Sequence, residues 1–65
     1  MNPTEEKLYE AIALEIAEKR LKPSTYTKAF ADSGGDKDRA LATYIQMRFE
    51  EMRLEFLAKA AAPRS

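Results

Sequence analysis

The sequence contains neither cysteine nor histidine. A disulfide framework is therefore excluded, and zinc, haem and iron–sulfur sites lose the side chains on which they depend. A site built from carboxylates alone would favour calcium or magnesium. Because cysteine and histidine are missing, we expect no metal and no cofactor. No serine or threonine can have a histidine base, so we expect no catalytic residue and no enzyme activity.

Valine and tryptophan are also absent, and only two glycines and three prolines occur in 65 residues. Helix-forming residues dominate the remainder, and no run alternates apolar and polar residues for long enough to indicate a strand. The composition therefore predicts an all-α fold. The length allows one domain, residues 1–65, with a core so small that tight helix packing or oligomerisation has to help its stability.

Neither charge sign is in excess, because Lys plus Arg and Asp plus Glu both number 11. Nucleic-acid binders normally carry a basic surplus, so this balance argues against that class. No apolar stretch approaches the roughly 20 residues that cross a membrane. The first ten residues, MNPTEEKLYE, are polar and acidic, the opposite of a signal peptide. The expected localisation is cytoplasmic, without membrane contact.

Three helices are predicted, in a long–short–long arrangement with the first and third antiparallel. The first spans about residues 3–21: Asn2 is a good N-cap, and Pro23 disfavours helical geometry in the residue before it. The second spans about 24–33, where Pro23 as first residue and Ser24 as cap both stay open. The third spans about 37–60, followed by a frayed tail at 61–65.

The first helix is expected to have two apolar stripes, which would contact more than one neighbour. The members of the first stripe are Leu8, Ile12 and Ile16, and those of the second are Leu14 and Leu21. The residues between the stripes, expected to face water, are Lys7, Ala11, Glu15 and Glu18.

The third helix is longer than the first, so one of its ends should extend beyond its partners within the chain. The apolar residues of that extending half form a predicted interface: Met52, Leu54, Phe56 and Leu57. Leaving them in water would be unfavourable, because each large side chain withdrawn from water contributes roughly 1.5–3 kcal/mol. A homodimer through the third helix would bury them, and a first helix that folds back over them is the alternative.

The segment DSGGDKDRA, residues 32–40, contains both glycines. A tight corner between the second and third helices accounts for it: Gly34 or Gly35 ends one helix, Asp36 caps the next, and small Ala40 permits close packing. GGD also begins the GGDEF signature of diguanylate cyclases, but the sequence continues differently and the chain is too short. A phosphate-binding loop would need a preceding strand and the full P-loop pattern.

A nucleic-acid regulator is the alternative for residues 26–45. The spacing of Ala31, Gly35 and Leu41 is compatible with a helix-turn-helix, and SGGDKDRALATYI is similar to the corner of the Fis-type DNA-binding motif. The presumed recognition helix would offer a mixed set with little basic excess: Lys37, Asp38, Arg39, Thr43 and Gln46.

The same region spells [WY]-x-K-A-[FL], then G-D-x-x-[KR]-A-x-x-x-Y-I-x-x-R, between Tyr26 and Arg48. This pattern resembles a small bacterial helical module of unknown function, over roughly residues 8–53. The module often has Trp where this chain has Tyr26. The resemblance implies a bacterial helical domain and carries no activity, cofactor or ligand set with it.

Tyr26, Tyr44 and Arg48 form a candidate partner patch, since aromatic–arginine groups anchor many protein interfaces. Such groups also lie at the edges of cores with the arginine extended towards water, and both interpretations stay open. The expected function is a non-enzymatic protein-interaction module that self-associates through its third helix and has an unidentified protein partner as a further option.

Overall fold

The computed structural model describes the backbone of residues 1–61 and the side chains of residues 1–59. Its elements are α1 (Pro3–Ala17), α2 (Pro23–Asp32) and α3 (Lys37–Ala61), of 15, 10 and 25 residues. The predicted long–short–long, all-α arrangement is confirmed, and no strand occurs within residues 1–61. Tyr9 lies against Phe49 whereas Glu15 bonds Tyr44, so α1 runs antiparallel to α3.

The start of α1 follows the predicted cap. The Asn2 side chain accepts the backbone N–H of Glu5 at 2.8 Å, and Pro3 occupies the first helical position, where its missing N–H costs nothing. This arrangement satisfies one of the amide donors that every helix start leaves without an intrahelical partner.

The predicted end of α1 near residue 21 is wrong, because the helix stops at Ala17. Lys19 takes a left-handed conformation, with φ at 57°, and the Arg20 N–H then donates to the Glu15 carbonyl at 2.8 Å. This is a Schellman ending, formed here without glycine. The early stop turns the chain so that Leu21, outside the helix, packs against the core.

A second Schellman ending closes α2 one residue earlier than predicted. Gly34, with φ at 69°, follows the helix, and the Gly35 N–H donates to the Phe30 carbonyl at 3.1 Å. At the other end the helix begins at Pro23, and the preceding Lys22 makes no side-chain cap. Of the two alternatives that the sequence leaves open for this end, Pro23 as the first helical residue is therefore the one observed.

The predicted Gly-Gly-Asp corner joins α2 to α3. Gly35 also has a positive φ, 88°, which favours glycine there. Asp36 accepts the backbone N–H groups of Asp38 and Arg39 at 3.0 and 3.1 Å, so its carboxylate caps α3. One turn further on, Ala40 has no exposed surface.

The core is centred on Ile12, Ala29 and Tyr44, one residue from each helix. Partly buried side chains surround it: Ile16, Leu21, Tyr26, Ile45, Met47, Phe49 and Met52. The second apolar stripe predicted for α1 does not form, because Leu14 remains 57% exposed while Leu21 reaches the core from the following loop. Of the tail predicted at 61–65, Ala61 belongs to α3 and residues 62–65 lie outside the described residues.

Candidate functional site

A polar cluster crosses the contact between α1 and α3. The Arg48 guanidinium donates from Nε to both carboxylate oxygens of Glu15 at 3.1 Å, and from Nη2 to Oε2 at 2.9 Å. The two side chains keep only 14% and 18% of their surface in water. A forked, largely desolvated ion pair of this kind orients both helices more firmly than an exposed pair can.

The Tyr44 hydroxyl is the second member of the cluster. It donates to Glu15 Oε1 at 2.6 Å and accepts the backbone N–H of Lys22 at 3.0 Å. The ring itself has no exposed surface. One hydroxyl therefore connects α3 both to α1 and to the loop that leads into α2.

Glu51 extends the cluster to α2. Its carboxylate accepts the Thr25 hydroxyl at 2.7 and 3.0 Å and Arg48 Nη1 at 3.2 Å, and the Lys22 ammonium lies 3.5 Å away. Thr25 is buried, so this bond satisfies its hydroxyl. In the part of the chain with described side chains, no buried polar side-chain atom lacks a hydrogen-bond partner.

The surroundings shift the pKa values of the cluster. Burial pushes the pKa of Glu15 up, but the hydrogen bonds from Arg48 and Tyr44 and the positive charge of Arg48 together lower it below its ordinary value. The pKa of Glu51 is lowered for similar reasons. Burial raises it, but the hydrogen bond from Thr25 and the positive charges of Lys22 and Arg48 lower it by more. Burial and the bond to Glu15 raise the pKa of Tyr44.

The cluster corrects two sequence-based expectations. Glu15 was expected to face water, yet it forms the centre of the α1–α3 contact. Tyr44 and Arg48 were candidates for a partner patch, but Tyr44 is buried and Arg48 is turned towards Glu15, while Tyr26, edge-on to Tyr44 at a centroid distance of 6.1 Å, is partly exposed. Of the two interpretations, the core edge is therefore the one observed.

Two acidic residues of α3 are ion-paired. Glu50 bonds Arg53 and Glu51 bonds Arg48. These pairs leave no cluster of three or more acidic side chains that could hold a metal ion among the side chains of residues 1–59. Within the same residues the surface forms no pocket for a small molecule.

The C-terminal part of α3 carries three of the exposed large apolar side chains. Leu54, Phe56 and Leu57 remain 54%, 50% and 47% exposed, whereas Met52, the fourth residue of the predicted interface, packs against the core. Further towards the N-terminus of α3, Phe49 stacks on Tyr9 with ring centroids 4.5 Å apart, and Tyr9 is itself exposed.

The dimensions of the molecule agree with a helix that projects. The chain measures 44 × 21 × 21 Å with a radius of gyration of 13.3 Å, against about 11 Å for a compact domain of this length. Its accessible surface is 5096 Å², against about 4,200 Å² for a folded monomer of this mass.

The charged groups at the corner are mixed in sign. Lys37 and Arg39 are exposed at the start of α3, and Asp36 and Asp38 alternate with them.

Within the described residues, α1, α2 and α3 are each too short or too polar to cross a bilayer. Comparisons of the chain with protein-family models, with curated proteins and with solved structures found no match.

Proposed function

We propose that this chain is a non-enzymatic protein-interaction module that self-associates through the projecting end of α3. The observation that carries the proposal is the group Leu54, Phe56 and Leu57, about half exposed on a helix whose N-terminal part is already packed. A single chain has no further element among the described residues to place over this end.

The area of exposed surface supports a second copy as the partner. Since each of the three side chains retains about half of its surface, burying it contributes on the order of 1 kcal/mol. A two-fold dimer counts each contribution twice, about 6 kcal/mol in total, which corresponds to an association no tighter than tens of micromolar.

Phe56→Glu tests the proposal. In a two-fold dimer the substitution places two carboxylates in the interface, and burying an unpaired charge is unfavourable. We expect the wild-type chain to sediment as a dimer at about 100 μM and the variant to sediment as a monomer. A wild-type monomer at that concentration would overturn the proposal.

Leu14→Glu is the matched control. Leu14 is at least as exposed as Phe56 but lies on α1, outside the proposed interface. We expect this variant to remain dimeric, with circular dichroism of both variants confirming that the helices are intact. Loss of the dimer in both variants would show that association is a general effect of exposed apolar surface.

The nucleic-acid alternative has no comparable support. The carboxylates of Asp36 and Asp38 offset Lys37 and Arg39 at the corner, and the chain has no net charge to attract phosphates. For this reason we do not propose it.

A further inference from the structure

We propose that α1 opens as a unit, separating from α3 while α2 and α3 stay packed against each other as a helical hairpin. The carboxylate of Glu15 is the group that holds α1 in the closed arrangement. The opening takes place within one chain, so it is independent of the self-association proposed above.

The packing of α1 is the weakest among the three helices. The Cα atoms of α1 and α2 stay more than 8 Å apart, so the backbone of α1 approaches that of α3 alone within the described residues. α1 is described over its whole length, and it buries Ile12 alone, whereas the shorter α2 buries Thr25 and Ala29. Segments with few buried contacts are the ones that open before the rest of a fold.

The connection between α2 and α3 favours the same order of opening. Their corner is closed by the bond from the Gly35 N–H to the Phe30 carbonyl and by the Asp36 cap, neither of which involves α1. The partners of Glu15 on α3, by contrast, are 29 and 33 positions away in the sequence. Because closing a longer loop costs more conformational entropy, the hairpin forms at a smaller entropic cost than the α1 contact.

The polar part of the α1–α3 contact depends on one side chain. Among the side chains of residues 1–59, every side-chain hydrogen bond from α1 to another element ends on the carboxylate of Glu15. Apolar contacts supply the rest, and the aromatic one is partial, since Tyr9 stacks on Phe49 while 39% of its surface stays in water. Loss of the Glu15 bonds therefore removes all the charged hydrogen bonds of this contact at once.

The groups that α1 would leave behind keep other partners. Arg48 still donates from Nη1 to Glu51 at 3.2 Å, and the Tyr44 hydroxyl still accepts the Lys22 N–H at 3.0 Å. Glu15 itself returns to water. Separating two elements is usually opposed by buried polar groups that lose their partners, and these remaining bonds reduce that cost.

Opening changes the surface that α3 presents. In the closed chain Tyr9 covers the Phe49 ring, with centroids 4.5 Å apart. Phe49 and Phe56 are seven positions apart, so they lie on the same face of α3, and Phe56 is already half exposed. The open chain therefore presents two aromatic rings on one helix face, where the closed chain presents one.

Amide hydrogen exchange of the full chain tests the opening. NMR follows single amides under conditions where reclosing is faster than chemical exchange, so the rates report the opening equilibrium. We expect Ile12 and Ile16 of α1 to share one opening constant, at least about tenfold larger than those of Ala29 in α2 and Tyr44 in α3. The amides of the hairpin exchange only when the whole chain unfolds.

Glu15→Gln removes the charge that holds α1 and keeps the shape of the side chain. It destabilises the closed state relative to the open and the unfolded states alike. All four amides should therefore exchange faster by one common factor, about tenfold, because a hydrogen-bonded charge is lost from the closed state alone.

Gly34→Ala is the matched control. It strains the corner of the hairpin, and no atom lies within 4 Å of the added Cβ. The open state keeps this corner, so the strain affects only full unfolding. Exchange at Ala29 and Tyr44 should become about fivefold faster, while Ile12 and Ile16 keep their wild-type rates.

A chain that unfolds in one step gives a different pattern. Equal protection in all three helices, with both variants shifting every amide together, overturns the proposal. A gradient within α1, fast at Ile12 and slow at Ile16, also overturns it, because it means fraying from the N-terminus. If the wild type sediments as a monomer and shows the expected exchange pattern, the opening holds and self-association alone is removed.

Discussion

At the scale of single residues, Arg48 and Tyr44 determine how the helices fit together. The guanidinium bonds Glu15 of α1 and Glu51 of its own helix, and the hydroxyl bonds both Glu15 and the loop before α2. Each group satisfies partners that burial has removed from water. Removing either one therefore leaves buried polar groups unpaired, which costs more than the bond itself contributed.

Tyr44→Phe should destabilise the fold by about 1–3 kcal/mol. The substitution keeps the buried ring but removes the donor to Glu15 and the acceptor for the Lys22 N–H. Urea unfolding followed by circular dichroism, at one protein concentration, gives the change in the free energy of unfolding. Tyr26→Phe is the control, because its ring is only partly buried. Equal losses in the two variants would contradict the assigned role of the Tyr44 hydroxyl.

The sequence predicts the local part of this cluster and misses the rest. Tyr44 and Arg48 are one helical turn apart, so the sequence alone groups them on one face of α3. Glu15 is 33 positions from Arg48, and its partner depends on the angle at which α1 crosses α3. Helical periodicity fixes the side of a helix on which a residue lies, and it contains no information on that crossing. Glu15 was therefore assigned to the solvent.

At the scale of elements, α1 and α2 both end in a Schellman motif, but different residues adopt the left-handed conformation in the two turns. α2 ends through Gly34, which adopts a positive φ without steric cost, whereas α1 ends through Lys19 at a φ of 57°. A side chain in this conformation costs roughly 1–2 kcal/mol. The position of Pro23 suggested a later stop, and nothing in the identity of Lys19 signals the earlier one.

Lys19→Gly should therefore stabilise the fold, by about 1 kcal/mol, since glycine removes that cost. Gly34→Ala should do the reverse by a similar amount: no atom lies within 4 Å of the added Cβ, so only the backbone conformation opposes it. Thermal unfolding of both variants beside the wild type measures the two shifts. A Lys19→Gly variant less stable than the wild type would mean that the folded turn uses the lysine side chain.

At the scale of the whole molecule, stability should depend on pH through the cluster. The pKa values of Glu15 and Glu51 are lowered on folding, so the unfolded chain binds more protons as the pH falls below about 4.5. The stability that these two carboxylates contribute is present above that pH. It is lost as the pH falls through their pKa values in the folded chain. Tyr44 acts oppositely: its pKa is raised, so its contribution holds below about pH 10 and is lost as the pH rises past the folded value.

Urea midpoints between pH 3 and pH 11 should therefore form a plateau with a loss at each end. Glu15→Gln removes one of the titrating carboxylates and should flatten the acid limb, at the cost of lower stability at pH 7. Protein concentration has to be constant throughout, because association also contributes to the measured stability. An acid limb of unchanged depth in this variant would show that other carboxylates carry it.

The guanidinium that serves two carboxylates also has a consequence for how the sequence can vary over evolutionary time. Because Arg48 orients Glu15 and Glu51 together, replacing the arginine removes a charge partner from both carboxylates, and replacing either carboxylate removes one from the arginine. Lysine carries a compact point charge without the planar set of N–H donors of the guanidinium, so it cannot replace the arginine here. We therefore expect positions 15, 48 and 51 to covary in homologues, exchanged together for apolar residues or retained together.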